Sequence, residues 1–71
     1  MTDDLTDRIA MALMTIEFWR GKVINASRIA EQDYSQYRAE SWQNLLFVTT
    51  RLLDAEDHWH ELLREKWKEE K

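Results

Sequence analysis

Cysteine and proline are both missing from this chain, and glycine occurs once, at Gly21. Without cysteine there can be no disulfide and no thiolate metal site. Without proline little interrupts a helix, and the alternation of apolar and polar residues that marks a half-buried strand is absent as well. No apolar run approaches the ~18 residues that a membrane span needs. Asp3, Asp4, Asp7 and Arg8 do not make the basic start of a signal peptide. Nor is there a basic face: the formal net charge is −4, with four Lys/Arg against six Asp/Glu in residues 1–37 and six against eight in residues 38–71. Duplex nucleic acid is therefore not an expected ligand. The expectation is a soluble, single-domain protein of a reducing cytoplasm. At 71 residues one hydrophobic core rarely supplies more than ~3–5 kcal/mol, and with disulfides and thiolate-held metals excluded, oligomerisation is the obvious support.

What is present reads as helix. A first helix is expected from about residue 3 to 31, with the Thr2 hydroxyl as cap and Asp3 and Asp4 in the first turn, where the helix dipole favours negative charge. At ~100° per residue Leu5, Ile9, Ala12, Leu13, Ile16, Val23 and Ala30 fall along one stripe, the expected core face. A turn follows at about 32–35, where Asp33 and Ser35 are both candidate N-caps and Gln36 stands three residues after Asp33 as a capping-box partner. The second helix is expected from about 36 to 69. Trp42, Leu45, Leu46, Thr49, Leu52, Leu53, Trp59, Leu63 and Trp67 share a broad face on it, and Lys66, Lys68 and Lys71 suit its C-terminal end.

Two helices of ~40 and ~50 Å, alone, leave much of both stripes wet. The expected fold is therefore all-α: a helix-loop-helix hairpin with a long second helix, dimerising into a four-helix bundle. A break at Gly21 would instead give a three-helix fold closing on itself, although a glycine inside a helix costs only ~1 kcal/mol relative to alanine. A second apolar face strengthens the case for assembly: Met11, Met14 and Phe18 lie opposite the core stripe of the first helix, and a helix wetted on one side needs only one apolar face. Phe47 and Leu62 also fall off the main stripe of the second helix.

Chemistry is less visible. Asp57 and His60 stand three apart and Glu56 and His60 four apart, spacings that carboxylate-bridged metal sites in bundles use. The first helix offers such a site no histidine and only Glu17 within its apolar portion, while His58 and His60 point ~200° apart on a helix and cannot chelate one ion together. No metal or other cofactor is expected. Glu56, in the apolar stripe, reads as paired with His60 or with Arg20 of another helix, a polar contact fixing register. The sharper possibility, a general base, lacks a nucleophile, a second acid or a phosphate-cradling loop, so no catalytic residue is assigned and the chain is not expected to be an enzyme. Four tryptophans, Trp19, Trp42, Trp59 and Trp67, divide between core and interface, with Trp67 leaning to interface because Glu65, Lys66 and Lys68 surround it.

Arg38, the Leu45-Leu46 pair, Glu56, Trp59, Leu63, Arg64 and Trp67 run in a register that resembles the second helix of the non-bleaching A (NblA) proteins, small cyanobacterial adaptors that promote phycobilisome degradation. The resemblance spans Tyr37 to Trp67, and Glu17-Phe18 followed by Val23 is similar to the family's short first helix. Arg64 stands where the family has Lys and Trp59 where it has Tyr; the acidic stretch Asp3 to Asp7 is longer and the first helix and loop shorter. A divergent member, encoded by a cyanobacterium or a cyanophage, would be a homodimeric four-helix bundle. The resemblance implies binding to phycobiliproteins through Leu63, Arg64 and Trp67 and engagement of a Clp-type protease chaperone with the other end. Two alternatives stand beside it: a small viral-type helical protein that inhibits a host protein by covering its surface, and a structural oligomerisation module.

Overall fold

The computed structural model describes residues 4–70; Thr2, Asp3 and Lys71, named above as cap, first-turn acid and terminal cation, lie outside that range. Two helices form, α1 over Asp4–Gln32 and α2 over Arg38–Glu70, joined by a five-residue turn at 33–37. They pack against each other as an all-α hairpin. The fold is antiparallel, since Leu5, Ile9 and Ala12 near the start of α1 share a cluster with Trp59 and Leu62 near the end of α2. No helix among the described residues is long and apolar enough to cross a membrane.

The contact between the helices follows a seven-residue period. On α1 the row runs Leu5, Ile9, Ala12, Ile16, Trp19, Val23, Ala26 and Ala30 and continues to Asp33 in the turn, and on α2 it runs Ser41, Leu45, Val48, Leu52, Ala55, Trp59, Leu62 and Lys66. Steps alternate between four and three residues, and every member of both rows is buried or half-buried. Such spacing keeps one narrow seam facing the partner helix along its whole length. Outside the rows, only Ser27, Thr49 and Glu56 among the described residues are even partly covered.

This corrects the stripe expected for α2. Leu62, expected off it, is buried at 2% exposure, and Val48 is buried as well. Conversely Leu46, Leu53 and Trp67 are 66%, 57% and 60% exposed, and Trp42 and Leu63 also face outward. On α1, Leu13 is exposed, while Trp19 and Ala26 join the core. The three-helix alternative fails because α1 runs through Gly21 without a break. Gly21 has no positive φ, and a Cβ built there meets nothing within 4 Å. Gly21→Ala is therefore expected to stabilise the hairpin by up to ~1 kcal/mol, read as a rise of about 4–8 °C in the thermal midpoint. An unchanged or lowered midpoint would show that the position serves something other than helix continuity.

The turn is organised by Asp33. Its Oδ1 accepts the Ser35 backbone N–H at 2.9 Å and the Ser35 hydroxyl, and its Oδ2 accepts the Ser41 hydroxyl at 2.7 Å, tying the turn to the first turn of α2. No hydrogen bond between Asp33 and Gln36 is found among the described residues; Asp33 lies in the core row and its carboxylate meets the Ser41 hydroxyl instead. The Ser35 Oγ accepts the Tyr37 N–H at 3.1 Å, and the Arg38 N–H closes back on the Ser35 carbonyl at 3.2 Å, so the chain makes a tight turn before α2 starts at Arg38. The Ser35 hydroxyl above all, then the Ser41 hydroxyl and the Ser35 N–H, with Arg38 nearby, hold the Asp33 carboxyl below its usual value. A depressed folded-state value makes the contribution full above the ordinary aspartate value of about 3.9 and removes it as pH falls through the lower folded-state value. Thermal midpoints measured from neutral to strongly acidic pH should accordingly fall more steeply at the acid end for the native chain than for Asp33→Asn. Parallel curves would remove Asp33 from that role.

Candidate docking surfaces

Two shallow apolar grooves lie on the outside of the hairpin. The first is on α1, where Met11, Met14 and Phe18 line it with Thr15. Both methionines are 68% exposed. The Thr15 hydroxyl donates to the Met11 carbonyl at 3.1 Å, so the groove's one hydroxyl is engaged by its own helix. Phe18 packs edge-on against Trp19 at 5.2 Å, and Trp19 in turn meets Phe47 of α2 edge-on at 6.5 Å. Cations cover part of this flank: the Lys22 Nζ stands 5.4 Å from the Phe18 ring centre and the Arg51 guanidinium 5.3 Å from that of Phe47.

The second groove is at the open end of the hairpin, on the last turns of α2. Leu63, Arg64 and Trp67 line it together with Lys66 and Glu70. Its floor is apolar and its rim carries both signs, with Lys66 and Glu70 3.9 Å apart. The α-helical spacing of 63, 64 and 67 brings these three side chains to one side of the helix, so the residues singled out as a docking set share one surface.

The structure also holds a surface that the composite α2 stripe concealed. One position on from the core row runs a second row with the same spacing, through Trp42, Leu46, Thr49, Leu53, Glu56, His60, Leu63 and Trp67. Counting the three-four steps of each row separately in the sequence would have separated them.

The polar candidates do not assemble into a reactive centre. Among the described residues no group of three His, Asp or Glu side chains could hold a metal ion. Glu56 is half-buried on α2, and among the described residues no hydrogen bond or ion pair joins it to His60 or Arg20. His60 instead lies against the Trp59 ring, 5.5 Å between centres. The Trp59 indole N–H is buried without a hydrogen-bond partner among the described residues. No family model, no curated protein and no solved structure matches this chain.

Proposed function

We propose that this chain is a non-enzymatic adaptor: a helical hairpin that joins a second copy in a four-helix bundle and docks a partner protein on the end of α2. The observation that carries the docking assignment is the groove itself. Leu63, Arg64 and Trp67, the residues for which the NblA resemblance implies partner contact, line one apolar depression beside a cation. Apolar anchors flanked by a charge are what protein interfaces use as hot spots. The resemblance supplies the partner class, a phycobiliprotein, and a Clp-type chaperone for the other end.

Surface arithmetic supports the association. The chain exposes 5825 Å², about 1,100 Å² more than the roughly 4,700 Å² that scaling gives a folded monomer of its mass. Its radius of gyration is 16.3 Å, against about 11 Å for a compact domain of this length. Standard dimer interfaces cover roughly 800 Å² per partner, which is the scale of that surplus.

The test is retention of phycobilisomes from a cyanobacterial lysate on the immobilised chain. The native chain should retain phycobiliprotein, and Leu63→Ala or Trp67→Ala should each weaken binding by about thirtyfold, the equivalent of a ~2 kcal/mol anchor. Arg64→Glu should act more strongly than Arg64→Ala against an acidic partner surface, since repulsion is added to lost attraction. No retention by the native chain would end the adaptor assignment. Retention untouched by all of these variants would move the site to the Met11, Met14 and Phe18 groove.

A further inference from the structure

The second row on α2 is self-complementary toward its ends. Its steps of four and three residues, like those of the core row, read the same in both directions, and its outer members match as well, tryptophan with tryptophan and leucine with leucine. Laid antiparallel against a copy of itself, the row sets Trp42 opposite Trp67, Leu46 opposite Leu63, Thr49 opposite His60, and Leu53 opposite Glu56. We propose that two hairpins pair through this row, α2 against α2 about a twofold axis passing between Asp54 and Ala55. The proposal rests on the dimeric part of the function given above and specifies its interface, orientation and register.

The geometry meets what an isologous contact requires, in which each residue of one copy meets a residue whose own counterpart meets it in return. From Trp42 to Trp67 the row spans roughly 38 Å of helix, within a molecule 54 Å long. Its apolar members are outward: Leu46 at 66%, Leu53 at 57% and Trp67 at 60% exposure. Covered by a second helix, they give an aromatic pair and a leucine pair toward each end of the seam, with the mixed Thr49–His60 and Leu53–Glu56 layers between them. The adjoining outer positions set Gln43 beside Arg64 and Thr50 beside Asp57 of the other copy, so no like charges face each other along that edge. The opposite flank of the hairpin is less suited to a second copy, because Lys22 and Arg51 already lie over its phenylalanines. Glu56 acquires a role in this arrangement. The two copies of Glu56 sit on either side of the axis, about 4–5 Å apart along the helix direction, where mutual repulsion keeps the association from becoming tighter. Leu63 and Trp67 are then shared between the seam and the docking groove, which lies at each end of the bundle with Arg64, Lys66 and Glu70 on its outer side and Trp42 of the other copy in its wall.

The chain has no native cysteine, so introduced thiols report orientation cleanly. Full-length Leu46→Cys mixed with full-length Leu63→Cys should form a disulfide-linked heterodimer under mild oxidation, while Leu46→Cys alone should not couple to itself. Sedimentation equilibrium should find the native chain dimeric. Leu53→Glu, facing the other copy's Glu56, should raise the dissociation constant about tenfold or more. Leu53→Lys, facing the same carboxylate, should raise it much less, and Glu56→Leu should lower it. A dimer in which Leu46→Cys couples to itself, or in which the Lys and Glu variants at position 53 behave alike, overturns the antiparallel register and leaves dimerisation standing. A monomer at all concentrations overturns both the pairing and the four-helix bundle. Phycobiliprotein retention is read separately, on Arg64→Glu, with sedimentation of the same variant showing whether its place beside Gln43 of the other copy has disturbed the pairing. Circular dichroism on each variant keeps loss of folding apart from loss of pairing.

Discussion

Leu62→Ala is expected to lower the free energy of unfolding by ~2–5 kcal/mol, whereas Leu63→Ala, the same change one residue on, should lower it by well under half as much. Leu62 is 2% exposed and packs with Leu5, Ala12, Ile9 and Trp59 where the two helices meet. Truncation there removes the transfer energy of the lost carbons and leaves a cavity that the rigid ends of two helices cannot close. Leu63 is 37% exposed and belongs to the outer row. For a chain of this size the total stability is about 4–10 kcal/mol, so the Leu62 variant should be substantially unfolded near physiological temperature. Ile16→Ala, also at 2% exposure, should behave like Leu62→Ala. Leu45→Ala and Leu52→Ala, at half-buried positions, belong at the lower end of the same range. Urea unfolding of the variants side by side measures the differences, at several protein concentrations so that coupling to association is seen. Equal losses for Leu62→Ala and Leu63→Ala would mean that the core row has been drawn on the wrong side of α2.

That contrast also marks where the sequence was legible. Most of the core of α1 could be read, since Leu5, Ile9, Ala12, Ile16, Val23 and Ala30 are all covered and only Leu13 of the expected stripe is exposed, while Met11, Met14 and Phe18 stand apart as a second face. The uninterrupted passage through Gly21 and the turn near Asp33 and Ser35 follow from local residue chemistry. On α2 two apolar rows run side by side, one residue apart, and a search for a single face merges them. The fixed angle of 100° per residue makes matters worse, since a seven-residue repeat drifts ~20° per heptad against it and crosses from one row to the other within the length of α2. Leu62 and Val48 were missed, and Leu46 and Leu53 misplaced, for that reason. At the candidate site, the common surface of Leu63, Arg64 and Trp67 follows from helical spacing alone. The isolation of Glu56 does not, because which helix faces a residue depends on the register between helices. That register is set by Asp33, Ser41 and the alanines beside them, which carry little apolar signal of their own.

Those alanines are the basis of the remaining large effect: Ala30→Leu is expected to destabilise the hairpin by ~1–3 kcal/mol even though it adds apolar surface to the core. Ala26 and Ala30 are 4% and 1% exposed, and they stand where α1 approaches the turn. A five-residue connection holds the two helix ends together there, and the Asp33 carboxylate reaches Ser41 at 2.7 Å. Small side chains occupy the core row of α1 at this end, while Leu5, Ile16, Trp59 and Leu62 occupy the core rows farther along. With Ala30 only 1% exposed, three added heavy atoms there are expected to adopt strained rotamers or wedge the helices apart. Wedging pulls Asp33 from Ser41, and the turn's hydrogen bonds are lost together with the packing. Ile29→Leu, an exposed neighbour of similar final size, is the control and should change stability by less than about 0.5 kcal/mol. Thermal unfolding should show a midpoint lowered by about 4–8 °C for each kcal/mol lost. The Asp33 bond itself can be followed separately, because a separated turn should flatten the acid-end dependence of stability toward that of Asp33→Asn. A more stable Ala30→Leu with the acid dependence intact would mean that the helices stand farther apart near the turn than the burial of Ala30 requires.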